Sequence, residues 1–160
     1  MKEARLTKVL FVCTGNICRS PTAEGIARHR IEAAGLSATI MVDSAGTYGG
    51  HVGELPDPRA RKAAGKRGYD LSTLRARKLE MADFQNFDLL LAMDAGHLET
   101  MRGLCPEVYR PKLQLFMNYA RKHPLSEVPD PYFGGENGFD AVLNYCEDAV
   151  EGLLEEIVGR

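Results

Sequence analysis

The chain has 160 residues, with 20 Lys and Arg against 22 Asp and Glu, for a net charge of −2. That length predicts one domain spanning 1–160 with room for a packed core. The near-neutral balance argues against a partner that is a nucleic acid or a membrane surface, and no apolar run reaches the length of a membrane span. Met1 to Lys8 carries charges, and the polar stretch Cys13 to Ser20 follows where a signal peptide would be apolar, so a cytoplasmic location is expected. Cysteines 13, 18, 105 and 146 lack the doubled C-x-x-C spacing of a zinc site, and neither a metal nor a cofactor is expected.

Val9-Leu10-Phe11-Val12 reads as a short strand buried on both faces. A loop follows, in which Gly15 and Asn16 tolerate positive φ, and Pro21 fits the first turn of a helix. Ala23, Ile26, Ala27, Ile31 and Ala34 share one face of that helix, which Gly35 ends. A second strand is predicted over 38–42, ending at Asp43-Ser44, then a glycine-dense loop from Ala45 to Gly53. Asp57-Pro58 opens a helix that stops near Gly68, and 79–87 forms a short helix. The third strand lies over 88–93, with Asp94 capping a helix to about Gly103, and the fourth over 112–116. Residues 117–135 are irregular, and Phe139 to Ile157 keep the rhythm of an amphipathic helix. Basic clusters at 59–66 and 75–78 read as solvated helix face or loop. Strands alternating with helices predict an α/β fold, a doubly wound sheet of four parallel strands with helices on both faces, and ligands gather beyond the strands' carboxyl ends.

The loop leaves the first strand at that edge. Arg19, the helix N-terminus and the loop N–H groups of Thr14, Gly15, Asn16, Ile17 and Cys18 make a phosphate-sized anion site with the Cys13 thiol at its floor. The same groups favour Cys13 as a thiolate, and Ser20 can donate its hydroxyl to the sulfur. Arg19 offers parallel donors to two phosphoryl oxygens, which a lysine cannot. Cys18 is close enough in sequence to Cys13 for a reversible disulfide that shields the nucleophile from irreversible oxidation.

The stretch Val-Cys-Thr-Gly-Asn-Ile-Cys-Arg-Ser-Pro resembles the signature of the low-molecular-weight protein tyrosine phosphatases. The likeness extends along the chain through Val42 to Thr47, Asp57 to Ala60, Met93-Asp94 and Asp130-Pro131-Tyr132. The resemblance implies a flavodoxin-like topology and hydrolysis of phosphotyrosine in proteins, and of small aryl phosphates, through a phosphocysteine. Cys13 would be the nucleophile, Arg19 the phosphate clamp, and Asp130 the acid that protonates the leaving phenolate and then activates water. Inorganic phosphate and vanadate would occupy the same site. It also implies that Asn16 and Ser44 are hydrogen-bonded and hold the loop. Tyr132 and Phe133 would wall the cleft.

Two positions depart from that pattern. Gly50 stands where related bacterial sequences carry a bulky aromatic before His51, which leaves two alternatives: Tyr48, two residues earlier, replaces that wall, or the wall is missing. Leu74 replaces a histidine that supports the loop, which leaves Thr73 or water for that task. An arsenate reductase on the same fold would need a second cysteine pair near residues 75–95, where there is none. A phosphocysteine carrier would need neither Arg19 nor Asp130, and the intact catalytic candidates argue against an inactive phosphotyrosine-binding module. A nucleotide P-loop would need a Gly-Lys-Ser/Thr that is missing.

Overall fold

The computed structural model describes residues 6–132 and 137–159. Strand β1, Thr7–Cys13, is central: its last five residues are all buried, and it pairs in parallel on both sides. One neighbour is β2, Ile40–Gly46, and the other is β3, Leu89–Ala92; β4, Leu113–Leu115, extends the sheet to the order β2-β1-β3-β4. Parallel neighbours require crossovers. Helix α1, Arg19–Ala33, makes the first, and α2, Pro58–Lys66, and α3, Met81–Asn86, lie in the second. Helix α4, Ala95–Leu104, makes the third, and α5, Asn137–Val158, follows β4.

Alternate side chains of β1 enter different cores. Val9 and Phe11 join Ile26 of α1 and Val142 and Leu153 of α5, while Leu10 and Val12 join Phe84 of α3 and Leu98 and Met101 of α4. Both sheet faces are therefore dry, which is why the strand reads as an unbroken apolar run. Phe11 meets Phe116 edge-on with ring centroids 5.2 Å apart; truncating such a fully buried ring to alanine costs about 3–5 kcal/mol.

Several boundaries differ from the sequence reading. β2 begins at Ile40 and runs on to Gly46, because register with β1 continues through Cys13 opposite Gly46 although the apolar run has ended. Gly46 must be small: a Cβ there would lie 2.5 Å from the Thr14 carbonyl oxygen. The α1 face does not reach Ala34, which is exposed, whereas residues from Arg19 to Ala27 are all buried. That half of the helix packs against both α5 and β2, so even its polar side chains are enclosed. The 75–78 cluster is a loop that is solvated only in part: Arg75 and Lys78 are exposed, while Ala76 is buried and Arg77 half-buried. Gly46 donates to the Arg77 carbonyl and Leu79 to that of Gly46, and the Arg77 guanidinium pairs with Asp83 and Asp43. A 3-10 turn, Phe116–Tyr119, interrupts the irregular region, and buried Asp148 of α5 accepts the N–H groups of Arg121, Lys122 and His123 just beyond it.

Candidate active site

Beyond β1 the backbone turns its carbonyls outward and its amides inward. The carbonyls of Cys13, Thr14 and Ile17 accept from the N–H groups of Thr47, Tyr48 and Asp57 at 2.9, 2.9 and 2.8 Å. The Cys18 carbonyl accepts the Thr22 hydroxyl at 2.7 Å. No backbone N–H from Thr14 to Cys18 donates to another described residue. Five amides without acceptors among the described residues, set around a thiol and capped by the start of a 15-residue helix, form an anion-binding nest. Positive φ occurs in this loop at Asn16 (58°) and not at Gly15. Gly15 is needed for a different reason, since a Cβ there would press to 2.9 Å from the His51 ring.

An αL conformation at Asn16 is held because the side chain is bonded on every side. Its Oδ1 accepts the Arg77 N–H at 2.9 Å, which orients the amide. Its Nδ2 then donates to Ser44 Oγ at 2.9 Å and to Ser20 Oγ at 2.8 Å. Ser20 Oγ lies 2.9 Å from Cys13 Sγ; having accepted from Asn16, it has its own proton to offer the sulfur. Ser44 likewise passes its proton to Glu24 Oε1 at 2.6 Å, and Glu24 Oε2 forms an ion pair with Arg28. Burial raises the Glu24 pKa against the opposing effects of the Ser44 hydroxyl and Arg28. The support expected from Thr73 or water in place of a histidine at 74 is supplied to Asn16 by the Arg77 main chain, and Leu74 is part of the hydrophobic core.

Arg19 is buried and fixed through one nitrogen. Nη1 donates to Asp94 Oδ2 at 2.9 Å and to the Val128 carbonyl at 3.1 Å, while Nη2 stands 3.7 Å from Asp130 Oδ2. Burial would raise the Asp94 pKa, but the His97 N–H and the Arg19 guanidinium outweigh it and hold it below the usual carboxylate range. Asp130 itself is half exposed, with Oδ1 accepting the Tyr132 N–H at 3.0 Å. Arg59 secures this segment: it donates to the Tyr132 carbonyl at 3.1 Å, lies over the Tyr132 and Phe139 rings, and is anchored on Asp57.

These groups meet in one cleft of about 230 Å³, lined by the loop, Cys13, Arg19, Asp130, Tyr48, His51 and Tyr132. Gly50 is not among the lining residues; a Cβ at Gly50 would sit 2.1 Å from the Tyr48 ring, so Tyr48 occupies the space a side chain at 50 would need. Phe133 lies outside the described residues. Cys18 is buried, and burial, then the Asp57 carboxylate and Cys13, push its thiol up to about 12. Cys105, at α4's end, is buried in the core on the other sheet face, whereas Cys146 of α5 is buried in the same core as Cys13 and Cys18.

Sequence reasoning missed Glu24, Arg59, Arg77, His51 and His97. Glu24 and Arg28 carried a usable signal, an opposite-charge pair four residues apart beside an apolar face. His97 had only its place three residues after the Asp94 cap.

The fold and the loop together define a phosphoryl-binding thiol site on a doubly wound α/β scaffold. Residues 8–159 match the family of low molecular weight phosphotyrosine protein phosphatase. A low molecular weight protein-tyrosine-phosphatase of Streptomyces coelicolor is 45% identical over 160 residues, covering 96% of this chain and 97% of its own. A protein tyrosine phosphatase from Entamoeba histolytica superposes with a TM-score of 0.93 at 40% identity, covering 96% of this chain and 97% of that one. A Vibrio vulnificus protein solved with benzylphosphonate gives 0.82 at 28% identity, covering 94% and 98%. The chain belongs to the low molecular weight protein tyrosine phosphatase family.

Proposed function

We propose that this protein hydrolyses phosphotyrosine in proteins, and small aryl phosphates, through a phosphocysteine. The observation that carries the reading is the Cys13 thiol beneath the five undonated amides, with the Ser20 hydroxyl 2.9 Å from its sulfur. In the first step Cys13 Sγ attacks phosphorus in line, the S–P bond forms, and the P–O bond to the aryl group breaks. The loop N–H groups and the Arg19 guanidinium hold the three equatorial oxygens. Asp130 gives its proton to the departing phenolate oxygen. In the second step water attacks phosphorus, Asp130 takes the water proton, the S–P bond breaks, and the thiolate returns with Ser20 as its donor.

The cleft supports an aryl ester: Tyr48 and Tyr132 border it, and aromatic flanks suit a phenyl ring. Inorganic phosphate and vanadate occupy the same nest, a reading in keeping with the benzylphosphonate complex of the Vibrio relative. One unit over 1–160, working in the cytoplasm, completes the proposal; no helix among the described residues is long and apolar enough to cross a membrane. The test is a side-by-side assay of a phosphotyrosine peptide, a phosphoserine peptide, and arsenate with thioredoxin. Turnover of the phosphotyrosine peptide is expected, well above that of phosphoserine. Turnover of arsenate alone would overturn the reading.

A further inference from the structure

The Arg19 clamp and the first loop residue are joined by a side chain that the mechanism above does not use. His97, in the first turn of α4, is 5% exposed. Its Nε2 lies 2.7 Å from Thr14 Oγ1 although the two residues are 83 positions apart. Its Nδ1 is fully buried, 3.1 Å from Asp94 Oδ1 but off the line of a hydrogen bond. The same Asp94 oxygen accepts the His97 backbone N–H at 2.9 Å, and the other carboxylate oxygen holds Arg19. One ring therefore touches the loop residue on one side and the carboxylate that anchors the guanidinium on the other.

The ring's hydrogens follow from this placement. A bare Nδ1 lone pair facing a carboxylate oxygen is repulsive, and an N–H facing it is attractive, so the proton of the neutral ring belongs on Nδ1. Burial and then the Arg19 charge lower the His97 pKa, which keeps the ring neutral. Nε2 is then an acceptor, and the Thr14 hydroxyl donates to it. Thr14 is otherwise tied only at its carbonyl, by the Tyr48 N–H, and its own N–H points to no described protein acceptor. The hydroxyl–imidazole bond adds a second anchor to the same residue and fixes the plane in which that amide is offered.

We infer that His97 is a positioning residue for phosphoryl transfer, accepting the Thr14 hydroxyl proton so that the Thr14 amide and Arg19 are held in register around the equatorial oxygens. This rests on the phosphate-loop reading. Misalignment of one donor matters most when the phosphoryl group is trigonal, because the in-line geometry leaves it little freedom.

The test compares wild type with Thr14→Val, His97→Leu, His97→Gln and the double variant Thr14→Val/His97→Leu. Thr14 is exposed, so its variant keeps the fold even if His97→Leu loosens α4. Thr14→Val and His97→Leu should each lower kcat/KM for p-nitrophenyl phosphate by about tenfold. Each should also weaken vanadate, the trigonal mimic, more than it weakens tetrahedral phosphate. The double variant should lose no more than the worse single one, because both remove one link. His97→Gln, whose amide can reach Thr14, should recover most of the loss. Thr14→Val at wild-type kcat/KM, or losses that add in the double variant, would overturn the inference and leave His97 a packing residue. A wild type that neither hydrolyses the ester nor binds vanadate would remove the loop reading and this inference together, an outcome distinct from the other two.

Discussion

The floor of the cleft and its rim are built on opposite principles. Within Cys13 to Ser20 the side chains of Cys13, Asn16, Cys18, Arg19 and Ser20 are buried, and Asn16, Ser20, Ser44 and Glu24 form one bonded chain behind the sulfur. At the rim, Tyr48 is 58% exposed and Tyr132 41%, and Asp130 accepts a backbone N–H two residues on and faces Arg19 at 3.7 Å. The floor is preorganised for a group that is the same in every substrate. The rim meets the part that varies. Preorganisation gains most where charge develops in the transition state, whereas exposed aromatic walls can shift with little cost.

The contrast can be broken most severely at the sulfur. Cys13→Ser should abolish hydrolysis of aryl phosphates while isothermal titration still detects phosphate or vanadate, because the amides and Arg19 remain. Asp130→Ala comes next and should slow turnover by about 10²–10⁴-fold for tyrosine-like leaving groups and much less for p-nitrophenolate. Equal slowing of both esters would refute the general-acid role. Asn16→Ala removes three floor hydrogen bonds and should reduce kcat by about tenfold or more, with about 1–3 kcal/mol of stability lost in denaturant melts. Tyr48→Ala is the mildest of the substitutions: KM for phosphotyrosine peptides should rise severalfold with kcat nearly unchanged, the reverse of the Asn16 pattern. A fall in kcat at Tyr48 would erase the distinction between floor and rim.

The Cys18 thiol supplies a finer test of the floor. With its pKa pushed up to about 12, it would attack an oxidised Cys13 only through a small thiolate fraction, which grows as pH rises. Peroxide-treated wild-type protein should therefore be increasingly rescued by dithiothreitol as the treatment pH goes from about 6 to about 9. Rescue that is absent at every pH would exclude the shielding disulfide.

Legibility in the sequence follows the same division by distance along the chain. The strand, loop and helix start from Val9 to Pro21 are contiguous, and their chemistry could be read directly; so could the caps at Asp57 and Asp94, whose side chains accept the N–H groups of Arg59 and His97. The supports of the loop could not. Arg77 meets Asn16 from 61 positions away and His97 meets Thr14 from 83, and each meeting is created by strands that run parallel and end at one edge. Asn16 and Ser44, 28 positions apart, were paired only through the family likeness. Tyr48 could be named from the sequence as a candidate replacement for the wall missing at Gly50, but that its ring fills the space of a side chain at 50 shows only in three dimensions.

Five loop amides have no acceptor among the described residues, and an N–H that loses hydration on folding without gaining a partner is a source of instability. An anion that fills the nest relieves that deficit in the folded state alone. Inorganic phosphate, the reaction's own product, should accordingly be both an inhibitor and a thermal stabiliser, worth about 2.7 kcal/mol at a concentration one hundred times its Kd. The catalytic loop thereby makes the resilience of the protein depend on the phosphate concentration around it.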